Sequence, residues 1–280
     1  MPRILILGSS GQLATSLRGL IDNVVSASRS GEVKLDLTRN EIICERIFKI
    51  KPDIIINAAG MTGVDECERK KQEAYLVNSL SVREVVKYCE KYGARLIQIS
   101  TDYVFDGRDG NYKEDSIPNP INFYGLTKLI GDAYALSYDD SLVIRTSGVF
   151  GSSRNFPLLA LGKLENNETV YALKGFYSPI FSGLLAGAIV ELMHSKRAGI
   201  LNVAGERTTR MALAVKIAEK FKLDKKLVVE DGGQIRFTAG RPFDSSLDST
   251  RARSLLSFDF YSTEKNLDEF YAYINKRKRF

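Results

Sequence analysis

The sequence predicts an α/β protein, a doubly wound parallel sheet followed by a smaller C-terminal unit. Three observations predict it. Short runs of Ile, Val and Leu alternate through the first half with stretches of helical period, as strands buried on both faces and their covering helices require. The first of these runs ends in a glycine-rich turn that opens a helix. No apolar run reaches the roughly 18 residues of a membrane span, and the chain of 280 residues, 44% apolar and 26% charged, is large enough to bury a sizeable core.

Residues 3–8 (RILILG) read as the first strand, and QLATSLRGLI as the helix after it. Residues 23–28 give a second strand, 40–50 a helix, 53–60 a strand, 73–93 one long helix and 94–100 another strand. Pro118 and Pro120 precede a helix that opens near Tyr124, and 141–146 returns to strand. Right-handed crossovers then produce the doubly wound order. Beyond about residue 150 the alternation loosens. A helix FPLLALGKLEN, a strand ETVYAL, a helix over 182–196, a strand over 199–205 and a helix RMALAVKIAEKFKL lead into a loop-rich run, 231–256. The expected division is 1–150 and 151–280, with elements near 180–205 rejoining the first unit.

Composition narrows the chemistry. Cys44, Cys67 and Cys89 lie more than twenty residues apart, neither a disulfide framework nor a metal cluster, which fits a reducing cytoplasm. The single histidine, His194, ends an apolar helical run and reads as a helix cap, so no metal site is expected. The start, MPRILILGSSGQL, lacks the parts of an export signal and reads as a strand. The net charge of +6 owes part of its excess to the tail NKRKRF, read as a solvated helix end and not a nucleic-acid surface. A basic chain suits an anionic substrate.

The motifs fall at strand ends. Gly8, Gly11 and Ala14 form G-x-x-G-x-x-A between the first strand and its helix. Glycines there let the backbone approach a pyrophosphate at the helix N-terminus, the turn of a Rossmann-type dinucleotide site. The second strand ends at Ser28 and Arg29 with no carboxylate before Glu32. An acid at this point would bind the ribose of NAD and a base the 2′-phosphate of NADP, so Arg29 favours NADP(H) and leaves NAD(H) open. Asp36, at a strand end, suits an adenine amino group, and the small residues of 57–60 (NAAG) suit close passage of a cofactor. Ser100, Thr101 and Asp102 end the strand of 94–100, where a hydroxyl can bond a reacting carbonyl or simply cap a turn.

Tyr124 and Lys128 stand one helical turn apart on one face. A phenol with an ordinary pKa near ~10 is a poor acid or base at neutral pH, and a neighbouring ammonium is expected to favour its phenolate. In this reading Lys128 also holds the nicotinamide ribose. Tyr124 protonates the alkoxide that develops as hydride arrives, and Thr101 places the carbonyl.

In this order, G-x-x-G-x-x-A, D-L, N-A-A-G, S-T-D and Y-x-x-x-K resemble an extended short-chain dehydrogenase/reductase. The segments PDIIINAAGMTGVDECE, ISTDYVFDG, PINFYGLTK, VIRTSGVFG and RPFDSSLDSTRARSLL are similar to those of the dTDP-4-dehydrorhamnose reductase family, over nearly the whole chain. The resemblance implies reduction of the 4-keto group of dTDP-4-dehydro-6-deoxy-L-mannose by NAD(P)H. It implies a nucleotide-diphosphate keto-sugar as partner, allows a homodimer, and involves neither nucleic acid nor membrane.

By matching motif it assigns catalysis to Thr101, Tyr124 and Lys128. It places Gly8, Ser10, Gly11, Gln12, Leu13, Asp36, Leu37, Ala58, Ala59 and Gly60 around the cofactor. Asn78 would support the lysine through water, Thr101 and Asp102 would face the sugar, and Arg241 would meet its diphosphate. Three positions depart from the family pattern. Gly148 replaces a tryptophan that packs on the sugar, Ser16 replaces a glutamate that helps to bind Mg²⁺ at a dimer interface, and KGFYSPIFS keeps Pro179 without its leading acid. Two other readings keep the scaffold. One is a non-catalytic regulatory subunit resembling the beta subunit of methionine adenosyltransferase; the other is a nucleotide-sugar epimerase with tightly held NAD, against which Arg29 counts.

Overall fold

Alternation along the strands decides which face each residue buries. In the computed structural model, which describes residues 2–153 and 155–277, β1 (Ile4–Leu7) sends Ile4 and Ile6 into one core and Leu5 and Leu7 into another. Both faces are covered, so every residue of the strand is apolar.

The chain continues through α1 (Gln12–Arg18), β2 (Val25–Ser28), β3 (Val33–Lys34), α2 (Ile43–Ile50), β4 (Ile54–Asn57), α3 (Val64–Arg69) and α4 (Lys71–Tyr75). A π-turn, Leu76–Leu80, leads into α5 (Ser81–Tyr92), β5 (Arg95–Thr101), α6 (Phe123–Leu136) and β6 (Ser141–Phe150). Then come α7 (Phe156–Glu165), β7 (Val170–Ala172), β8 (Phe176–Tyr177), β9 (Pro179–Phe181), α8 (Ser182–Met193) and β10 (Gly199–Asn202). The last elements are β11 (Thr208–Thr209), α9 (Arg210–Phe221), β12 (Val228–Glu230), α10 (Thr250–Arg253) and α11 (Thr263–Arg277). The last three residues of the basic tail lie outside the described residues.

The main sheet is parallel, in the order β10-β6-β5-β4-β1-β2-β3, with β9 pairing the far end of β6. Strand order reverses between β1 and β4, which opens a crevice at their carboxyl ends. One face carries α1, α8 and α11; the other carries α2, α5 and α6. Helix α8 packs against α1 and β10 extends the sheet, so the elements near 180–205 do lie on the sheet of the first half. A separate small core joins α7, β7, α9 and β12.

Two readings change. The long helix expected over 73–93 is broken by the π-turn, and the charged segment VDECER, left unassigned by periodicity, is α3. His194 does cap α8.

Candidate active site

The crevice at the switch point has a volume of about 410 Å³. Gly8, Ser10, Gly11, Arg29, Asp36, Leu37, Ala58, Ala59 and Gly60 all line it. Gly8 has φ +87°, and a Cβ there would stand 2.6 Å from Ala59 Cα, so only glycine lets β1 and β4 meet at the floor. Gly11 caps α1 without a side-chain bond, which leaves the first backbone N–H groups of the helix open to an anion. Ser9 donates to Ser28 at 2.8 Å, tying this turn to the end of β2. Asp36 Oδ1 accepts from the backbone N–H (3.0 Å) and hydroxyl (2.8 Å) of Thr38. The Thr38 N–H holds the Asp36 carboxyl below its usual range, so it stays an acceptor.

Five expected cofactor neighbours, Gln12, Leu13, Asn78, Tyr124 and Lys128, are not among the residues lining the crevice. Leu13 is buried in the core. Gln12 donates to the Val149 carbonyl at 2.7 Å and accepts from Asn155 at 3.2 Å, linking α1 to the end of β6. Tyr124 and Lys128 lie beyond the crevice on α6. Thr62, Glu66 and Glu73, which sequence reasoning did not single out, do line it. The nearest signal was the unassigned helix α3, which carries Glu66.

Helix α6 places the reacting groups. Its N-cap is Asn122, whose Oδ1 accepts from Gly125 N at 2.8 Å, and Glu68 accepts from Phe123 N at 2.7 Å. The Tyr124 phenol is buried beside Thr101 at the end of β5, and its ring meets that of Tyr103 edge-on at 5.8 Å. Burial raises the Tyr124 phenol well above the ordinary tyrosine value, with the neighbouring Thr101 hydroxyl opposing. This differs from the expectation that Lys128 would favour the phenolate. The Lys128 ammonium is turned to the Ile99 carbonyl, to which it donates at 2.6 Å, and burial lowers its own pKa against the pull of Asp132. Desolvation outweighs the charge one turn along.

Asp102, expected to face the sugar, is only 3% exposed. Its carboxylate accepts from Thr101 (3.0 Å), Ser147 (2.8 Å) and Ser245 (2.5 Å). Asn78 is likewise committed. It accepts from Met61 N at 2.8 Å and donates to Met61 O and Thr127 Oγ1, both at 3.1 Å. Arg241 pairs with Asp65 at 3.0 Å, and Asp65 also accepts from Thr238 N and Ala239 N. Gly148 has φ +50°, and a Cβ there would stand 2.7 Å from the Tyr177 ring. Tyr177 therefore fills the space beside the missing side chain. Ser16 forms a 2.9 Å hydrogen bond with Ser182, joining α1 to α8.

A family model described as "RmlD substrate binding domain" matches residues 2–275. The dTDP-4-dehydrorhamnose reductase of Salmonella typhimurium is 34% identical over 220 residues, 74% of each chain. This chain belongs to the dTDP-4-dehydrorhamnose reductase family. A solved structure of a hypothetical dTDP-4-dehydrorhamnose reductase from Sulfolobus tokodaii shares 49% identity and a TM-score of 0.88, covering 92% of this chain and 96% of that one. The dTDP-4-dehydrorhamnose reductase of Bacillus anthracis, solved in complex with NADP, gives 26% identity and a TM-score of 0.90 over 97% and 99% of the two chains. The dTDP-4-dehydrorhamnose reductase family thus covers the crevice, α6 and the C-terminal elements together. No helix among the described residues is long and apolar enough to cross a membrane.

Proposed function

We propose that this chain is an NADPH-dependent reductase of a nucleotide-activated 4-keto-6-deoxysugar, with dTDP-4-dehydro-6-deoxy-L-mannose as substrate and dTDP-L-rhamnose as product. The observation that carries the reading is the buried pair of Tyr124 and Lys128, one helical turn apart on α6, in a fold whose switch-point crevice is lined by Gly8, Gly11, Arg29 and Asp36. The named relatives are dTDP-4-dehydrorhamnose reductases, one of them solved with NADP.

The residues suit the cofactor. The Gly8–Gly11 turn and the uncapped start of α1 receive a pyrophosphate, Asp36 accepts from the adenine, and Arg29 lies in the crevice where a 2′-phosphate would be. Bound NADPH supplies the hydride. Tyr124, kept protonated by burial, already holds the proton that an alkoxide needs. Thr101 orients the phenol, and Lys128 stands beside it as a buried cation for the ribose. Elements beyond residue 150 that do not join the main sheet supply the sugar-facing wall. A reaction that draws on NADPH, in a chain with three free cysteines, fits the cytoplasm. The groups proposed for catalysis all come from one chain, so a homodimer would not be needed to complete them.

The test is loss of NADPH absorbance with dTDP-4-dehydro-6-deoxy-L-mannose, wild type beside Tyr124→Phe. Turnover by wild type that falls roughly 10²–10⁴-fold in the variant is the expected result. Binding of NADPH with no oxidation by wild type would refute the reading.

A further inference from the structure

Of three arginines in the C-terminal half, Arg207, Arg210 and Arg241, two are already neutralised. Arg207 pairs with Asp244 at 2.7 Å, and Arg241 pairs with Asp65 at 3.0 Å. Arg210 has no carboxylate within ion-pair distance among the described residues. Its guanidinium lies 4.7 Å above the Tyr177 ring and also faces the Tyr103 hydroxyl. Tyr103 in turn packs edge-on against Tyr124.

Position and chemistry agree. A guanidinium stacked on an aromatic face is fixed in direction, and its five N–H donors leave several for a phosphate beyond any that Tyr103 takes, the arrangement that suits a phosphate. A half-buried cation is poorly compensated until an anion meets it. Tyr177 is buried and its hydroxyl makes no hydrogen bond within the chain. Its ring covers Gly148, which is exposed and follows the Ser147 that binds Asp102. The wall of Arg210 and Tyr177 therefore begins one aromatic side chain away from Tyr124. A 4-keto-hexose with its carbonyl at Tyr124 carries its anomeric phosphate across the sugar ring, at about that remove.

We infer that Arg210, backed by Tyr177 and Tyr103, receives the diphosphate of the sugar nucleotide, while Arg241 stays with Asp65 and anchors residues 238–241 to α3. The inference rests on the keto-sugar reading above. It moves the diphosphate contact from the arginine that the motifs suggest to one that they do not mark.

The experiment is calorimetric titration of the NADP⁺-loaded protein with dTDP, UDP, inorganic pyrophosphate and thymidine. Wild type, Arg210→Gln, Arg210→Lys and Arg241→Gln are compared. The expected result is a loss of dTDP affinity of about tenfold or more in Arg210→Gln, partly restored in Arg210→Lys. Thymidine binding and NADP⁺ affinity stay at wild-type values, and Arg241→Gln loses less. Unchanged dTDP binding in Arg210→Gln overturns the inference, as does an equal loss for thymidine. A loss confined to NADP⁺ overturns it too, since the phosphate met would then be the cofactor's. Arg210-dependent binding of UDP or pyrophosphate without dTDP upholds the arginine and refutes the thymidine-sugar reading. Keto-sugar turnover with unchanged KM in Arg210→Gln overturns the inference and leaves the reductase standing.

Discussion

At the scale of single residues, the protonation of Tyr124 and Lys128 follows from burial more than from each other. Tyr124 is 9% exposed and Lys128 4%, and desolvation penalises the charged form of both. The phenol is pushed above its ordinary value, so at neutral pH Tyr124 holds its proton. A reductase needs the acid in that form at the start of its cycle. The expected outcome is that the tyrosinate absorbance of wild type minus Tyr124→Phe shows no Tyr124 ionisation below pH about 10. A tyrosinate step in the neutral range would show that the lysine charge, and not desolvation, sets the acid. The spacing of Tyr124 and Lys128 was legible in the sequence because helix geometry fixes which side chains share a face. The sign of the shift was not, because it depends on how much water the finished fold removes.

At the scale of elements, strands buried on both faces were legible and the shortest ones were not. β1 and β4 carry four and three consecutive apolar residues, whereas β8 and β11 have two residues each and show no period. α3 buries only Cys67, so it offers no apolar stripe to count. The π-turn escaped because one extra residue per turn scarcely alters an averaged helical period. That turn matters to the site. Its Asn78 and Ser79 hydrogen-bond to Thr127, so it docks directly on the helix that carries Tyr124 and Lys128. Gly131 permits the contact, since a Cβ there would fall 2.3 Å from the Asn78 carbonyl oxygen. Gly131→Ala should therefore push α6 off the turn, destabilising the fold by about 1–3 kcal/mol and lowering kcat more than it raises KM. Urea denaturation beside steady-state kinetics checks this. Wild-type stability and kcat in the variant would mean that α6 is not held at that point.

At the scale of the whole molecule, distant parts of the sequence converge on one buried carboxylate. Asp102 directly follows β5, Ser147 belongs to β6, and Ser245 comes from the loop-rich run near the C-terminus; both serines donate to Asp102 Oδ2. The motif S-T-D located Asp102 at a strand end, but no local pattern reveals partners so far away in sequence. Burial raises the Asp102 pKa above its usual 3.8, with the three hydroxyl donors opposing. The folded state therefore holds this proton more tightly than the unfolded chain does. Its stabilising contribution is complete below the unfolded value and is lost as pH rises through the folded one. Asp102→Asn keeps the shape and removes the titration. The stability of wild type relative to this variant should be greatest below the usual carboxyl value of 3.8 and should decline as pH rises through the folded-state value. Urea unfolding of both proteins at acidic, intermediate and neutral pH measures that difference. A relative stability that grows with pH would mean that the hydroxyl bonds outweigh desolvation and that Asp102 rests in the fold as an anion. The decline would instead identify it as a junction held together by packing and hydrogen bonds despite the cost of charging a buried carboxyl.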